Sequence, residues 1–209
     1  MIVEGSEITI FFVYKLFKNL KLNKMKKFFL LLAFTTIFMA QANAQKYGTR
    51  KGSITFHSDA EMEQINAINN TVSAVVDAAS KKMQFAVLIK GFQFKKALMQ
   101  EHFNENYMES SKYPKATFKG EIVEGAINFV QIGSYDVKVK GNLTIHGVTK
   151  EVIVPATITM SKSGAHTVAS FDVVLAEYGI KIPSLVKNKV AKVITITVDA
   201  TLPMLAQKR

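Results

Sequence analysis

The chain has 209 residues, neither cysteine nor tryptophan, and 27 basic against 16 acidic residues, for a formal charge of +11. Without cysteine there are no disulfides and no thiol chemistry. The basic residues stand singly instead of clustering with aromatics, which argues against a nucleic-acid groove. After residue 44, 21 basic residues face 14 acidic ones; this surplus of seven reads as a solvated surface with, at strongest, transient attraction to anionic membranes.

Residues 1–24 (MIVEGSEITIFFVYKLFKNLKLNK) precede a second methionine and read as an upstream extension from an early start codon, the rival being an uncleaved amphipathic anchor. From Met25 two lysines lead into an apolar run, Phe28 to Met39, and then Ala42-Asn43-Ala44 before Gln45. This is the three-part pattern of a signal peptide over 25–44, cleaved after Ala44, and the expected location is the periplasm or the medium. The run is shorter than the roughly 20 apolar residues a spanning helix needs. Residues 45–209 are left as one domain.

In that domain apolar residues alternate with polar ones. Ile54 and Phe56 share a face, as do Val72, Ala74, Val76 and Ala78, then Met83, Phe85, Val87 and Ile89. Residues 95–114 break the pattern: Met99, Phe103 and Tyr107 recur every fourth residue, the spacing of one helical face, and Pro114 ends the segment. A short helical lid is expected there. Alternation resumes with Ala116, Phe118 and Ile122.

The stretch GNLTIHGVTKEV, residues 141–152, reads as a hairpin with a two-residue type II′ turn at Gly147-Val148. That register pairs Leu143 with Val152, Gly141 with Val154, Val139 with Ala156, Val137 with Ile158 and Tyr135 with Met160, leaving one dry face. A four-residue loop, Lys162 to Ala165, would then set Ile158 against Ala169, Ala156 against Phe171, Val154 against Val173 and Val152 against Leu175. A last strand offers Val190, Ile194, Ile196, Val198 and Ala200. Eight antiparallel strands with one apolar face each indicate an all-β sandwich or closed barrel, and closure has the merit of removing exposed edges. An outer-membrane barrel is excluded because Lys90, Lys119, Lys138 and Lys140 would face lipid.

No nucleophile elbow, metalloprotease motif or phosphate loop is present. His102 and Glu105, three apart on the lid, could reach one metal ion if His57 or His146 supplied a third ligand; a solvated helix face is the simpler reading, and no metal, cofactor or catalytic residue is assigned. His57, His146 and His166 read as turn or strand-end residues. Large inward residues (Phe85, Phe118, Leu143, Phe171, Leu175) mix with small ones (Ala74, Ala78, Gly141, Ala156, Ala169), so the interior is either hollow or filled by alanines opposing aromatics.

Two segments carry a resemblance. His102, Phe103, Ser110, Tyr113, Pro114, Ala116, Thr117 and Phe118, then Gly141, Leu143, Thr144, Ile145, Gly147, Val148, Thr149 and Lys150, resemble the signature of the YceI-like family. Gln100-Glu101 stands where members often have Arg-Asp. The resemblance implies a lipocalin-like eight-stranded barrel and a non-enzymatic binder or carrier of a polyisoprenoid, quinone precursor or other lipid. The expected ligand-binding residues are Phe85, Val87, Ile89, Phe92, Phe94, Leu98, Met99, Phe103, Phe118, Leu143, Ile145, Phe171, Val173 and Leu175. The expected partners are that lipid-like molecule and a membrane surface, with the chain a monomer or homodimer. The alternatives are an envelope-stress or interaction protein on the same barrel, or an enzyme using the His102/Glu105 region.

Overall fold

A computed structural model describes residues 45–206; the expected signal peptide and the stretch before it lie outside the described residues. The strands are β1 (Lys46–Asp59), β2 (Gln64–Asp77), β3 (Lys82–Leu88), β4 (Gln93–Phe94), β5 (Lys115–Glu124), β6 (Gly133–Ile145), β7 (Val148–Ser161), β8 (Gly164–Val174) and β9 (Val193–Leu202). All pairings are antiparallel. The order β1-β9-β8-β7-β6-β5-β3-β2 closes through β1 on β2 into an eight-stranded barrel, and the short β4 replaces β3 beside the upper part of β2.

Closure follows from alternation. In β9, for example, Ile194, Ile196, Val198, Ala200 and Leu202 point inward while Thr195, Thr197, Asp199 and Thr201 point out. The outer face is mainly polar, with single apolar residues such as Val75 and Ile153 among the polar ones. Lys138 pairs with Glu124 at 2.7 Å and Lys140 with Glu151 at 3.0 Å, and Thr157 donates to Asp136 at 2.7 Å. Exposed pairs of this kind add little stability. Their value is in keeping that face wet.

Both expected hairpin registers are corrected by two residues. Gly141 pairs with Val152 and Leu143 with Lys150, so the central turn residues are His146 and Gly147, not Gly147 and Val148. Both have positive φ, 52° and 76°, which makes a type I′ turn. Glycine takes that conformation freely, and His146 is held in it by contacts on both ring nitrogens. Likewise Ala156 pairs with Ala169 and Ser161 with Gly164, giving a two-residue connection at Lys162-Ser163 in place of the four-residue loop. Each correction is an even number of residues, so every side chain keeps its face.

The two ends of the barrel differ. At the lower end, where β1 begins, Tyr47, Val72, Val76, Ile122, Phe129, Val137, Ile158, Met160 and Leu202 are all buried in one cluster. The Tyr47 hydroxyl donates to the Phe129 carbonyl at 3.0 Å, and the two rings stack at 6.0 Å. After Leu202 the chain straps across β1: Gly48 donates to the Pro203 carbonyl at 3.0 Å and Leu205 to that of Lys46 at 2.7 Å. The upper end carries the β1–β2 turn, the lid between β4 and β5, the His146-Gly147 turn and the long β8–β9 connection.

Gly120 and Gly141 face each other on β5 and β6. A Cβ on Gly141 would lie 2.5 Å from Gly120 Cα and from the Lys119 carbonyl, and 2.8 Å from the Phe118 ring. The aromatic ring therefore lies over two missing side chains and covers the bare backbone. Gly141→Ala should lower stability by about 1–3 kcal/mol, because backbone has to move to admit the methyl. Urea denaturation checks this through a lower midpoint at an unchanged slope.

Candidate functional site

A cavity of about 300 Å³ occupies the upper half of the barrel. Its size is at the low end for small-molecule sites. Below it lies the packed cluster around Tyr47 and Phe129, so the hollow and the filled interior left open by the sequence are both found, one above the other. The deepest lining residues are Ile54 on β1, Met83 on β3, Val139 on β6, Ala156 on β7, Thr167 on β8 and Val198 on β9.

All the expected binding residues border this cavity except Leu98. Phe85 and Val87 reach it from β3, Phe118 from β5, Leu143 and Ile145 from β6, and Phe171 and Val173 from β8. Ile89 and Leu175 border it from the 3-10 turns that follow β3 and β8, and Phe92, Phe94, Met99 and Phe103 from the lid side. Leu98 is the correction: it is 61% exposed, because neighbouring helix positions diverge by about 100° and Met99 takes the inward one. Of the small inward residues, Ala156 and Ala169 border the cavity as a cross-strand pair. Ala74 sits in the packed core, and the space at Gly141 is taken by Phe118.

The lid is α1 (Ala97–His102) followed by a π-helical turn, Phe103–Tyr107. The wider turn keeps Met99, Phe103 and Tyr107 all on the cavity side. Phe103 joins Phe56, Phe92 and Phe94 in an aromatic cluster with ring centroids 4.9–5.6 Å apart, and all four border the cavity. Burial pushes the Tyr107 phenol above its usual range, so it stays neutral at the mouth. His102 Nδ1 accepts from Asn106 at 2.8 Å. His57 is bound to Asn66 instead, and among the described residues no three His, Asp or Glu are grouped to hold a metal ion.

Three polar side chains fix the upper elements. Asn69, fully buried, donates to the Leu88 carbonyl at 2.8 Å and accepts from Thr71 N and Oγ1 at 2.9 and 2.8 Å. It holds the Ile89–Gly91 turn, whose Gly91 leaves only 2.6 Å between a hypothetical Cβ and Asn69 Nδ2. Ser58 Oγ accepts from Ala191 N at 2.9 Å, tying the β8–β9 connection to β1. His146 Nδ1 donates to the Tyr178 carbonyl at 3.2 Å, its Nε2 lies 2.8 Å from Glu109, and its ring stands edge-on to Tyr113 at 4.5 Å. One imidazole thus joins the β6–β7 turn, the end of the lid and the β8–β9 connection.

Sequence reasoning missed Phe56, Ile194 and Ile196 as lining residues, although each was visible in its strand's alternation. It also missed Ile180, Val186 and Lys189, which come from the β8–β9 connection and follow no strand or helix period; Val190, expected on the last strand, lies in that connection too, because β9 begins only at Val193.

The model of the YceI-like domain matches residues 36–202. Among solved structures, a polyisoprenoid binding domain from Saccharophagus degradans superposes with a TM-score of 0.65 at 13% identity, covering 79% of this chain and 100% of that one. BcnA from Burkholderia cenocepacia gives 0.60 at 18%, covering 73% and 95%. The YCEI protein of Campylobacter jejuni gives 0.52 at 18%, covering 68% and 85%. At these identities the likeness is one of fold. No curated protein matches the chain.

Asn69→Ala should cost about 1–3 kcal/mol, since it removes three hydrogen bonds of a buried side chain, the one to the Leu88 carbonyl among them, and loosens the turn beneath the lid. Thermal unfolding of the purified variant checks it, with an exposed control such as Asn66→Ala expected to cost less.

Proposed function

The chain belongs to the YceI-like domain family, and from its half-hollow barrel we propose that it binds and carries a long apolar molecule, a polyisoprenoid, quinone precursor or similar lipid, in the periplasm or outside the cell. The observation that carries this reading is the cavity, walled by aliphatic and aromatic side chains and opening beneath the lid. Each CH₂ taken from water contributes about 0.8 kcal/mol, so about ten carbons supply roughly 8 kcal/mol before the cost of association. Such a site needs shape and dryness more than polar contacts. Methionines 83, 99 and 108 let the wall adapt to tails of different shape. The polyisoprenoid named for the S. degradans domain supports the choice of ligand class.

Delivery to or from a membrane fits the rim. Met62, Leu98 and Leu185 are exposed there, Leu185 to 94%, beside the exposed Lys95, Lys96, Lys187, Lys189 and Lys192. The rim is continuous: Lys96 pairs with Glu63 at 3.3 Å and Met62 donates to the Asn188 carbonyl at 2.9 Å. Apolar side chains among lysines suit the interface of an anionic bilayer. Export by the signal peptide, with a mature N-terminus at Gln45, is part of the same reading.

Native mass spectrometry of protein purified from its own envelope should show a bound lipid, and repeated delipidation without any such adduct would count against it. Phe103→Ala should weaken binding of a fluorescent lipid by roughly tenfold or more, as one buried aromatic contact is lost. Leu185→Asp should reduce sedimentation with phosphatidylglycerol vesicles while leaving lipid binding in solution unchanged.

A further inference from the structure

The cavity's closed end holds one group that an apolar tail does not explain. Thr167 is the lowest lining residue of β8, on the same face as Ala169, Phe171 and Val173 above it. Its cross-strand neighbours are Ile158 and Ala200, both buried. Thr167 is only 2% exposed, and among the described residues nothing hydrogen-bonds to its Oγ1. A buried hydroxyl without a partner is costly, and valine would fill the same space without that cost. Oγ1 itself has almost no accessible surface, so its partner has to be a group that presses into the closed end of the cavity that Thr167 borders.

The rest of the lining restricts what that partner can be. Its titratable side chains, Glu63, His102, Tyr107 and Lys189, lie in the β1–β2 turn, the lid and the β8–β9 connection, all at the upper end. No lining residue at the closed end could balance a carboxylate or phosphate, and an uncompensated charge there would be prohibitive. A neutral group fits. A hydroxyl can both donate to Thr167 Oγ1 and accept from it.

Resting on the lipid-binding reading, we infer that the closed end of the barrel is a polar anchor: the ligand inserts a neutral, hydrogen-bonding terminus of the alcohol class first and pairs it with Thr167 Oγ1. The apolar chain then runs upward past the Ala156 and Ala169 pair to the aromatic cluster. A ligand with a charged terminus takes the opposite orientation, with its charge at the mouth near Lys189 and His102.

The test is displacement of N-phenyl-1-naphthylamine by dodecan-1-ol and by dodecane, measured on the wild type, Thr167→Val and Thr167→Ser. The ratio of alcohol to alkane affinity should fall about tenfold in the valine variant, the worth of one hydrogen bond, and survive in the serine variant. If all three proteins bind both compounds with the same ratio, the anchor is wrong and the lipid-binding reading stands. If the wild type binds neither compound nor the dye, the lipid-binding reading falls and the anchor with it. A crystal structure of the wild type with dodecan-1-ol decides the matter without any variant. The alcohol oxygen within hydrogen-bond reach of Thr167 Oγ1 supports the anchor, and the alcohol oxygen at the mouth overturns it.

Discussion

Closing eight antiparallel strands fixes the width of the interior, and every inward side chain must either cross that width or leave it open. This chain does both along one axis. In the lower half, Tyr47, Phe129, Met160 and Ile158 meet across the middle, and the hydroxyl of Tyr47 is satisfied by a backbone carbonyl. In the upper half the wall changes to a mixture of phenylalanines at the rim and an alanine pair at the waist, and the middle stays empty. The packed floor holds the barrel together where nothing has to enter, and a second buried cluster around Ile89, Leu143, Leu175 and Tyr178 braces the open half.

The open half is held in shape by polar groups set in the wall and rim, which leave the cavity itself dry. Asn69, Ser58 and His146 each tie a non-strand segment to the barrel, and each does so by hydrogen bonds to backbone. Apolar packing alone would leave the lid and the β8–β9 connection free to fall into the hollow, because collapse buries more surface. Directional contacts oppose that collapse. They also leave the aromatic cluster of Phe56, Phe92, Phe94 and Phe103 as the part of the mouth held mainly by side-chain contacts. Such contacts can be exchanged for contacts with a ligand at little cost.

The features legible in the sequence are those that depend on parity. Alternation marks which side chains face inward, and a hairpin misplaced by two residues preserves that facing, so Leu143, Phe171 and Val173 were identified through an incorrect register. The turn itself was not legible, because nothing local to His146 reveals that Glu109 and the Tyr178 carbonyl, 37 and 32 residues away, would hold it at positive φ. Apart from Val190, which continues the alternation of β9, the β8–β9 connection follows no period, so its share of the lining had no signal. Leu98 and Met99 are adjacent and similar in character; only the helix phase separates the one facing out from the one facing in. Thr167 carries no mark in the sequence, because its meaning depends on a depth that periodicity does not encode.

The central claim is that the upper barrel is kept hollow to receive a ligand. Filling it tests this most directly: Ala169→Leu places extra methyl groups at the waist, against Ala156 on the neighbouring strand. Fluorescent-lipid titration and thermal unfolding of the same variant are read together. The account predicts that lipid binding is lost while the melting temperature is held or raised, because the added side chain enters empty space. Lipid binding at wild-type strength in a folded variant would contradict it.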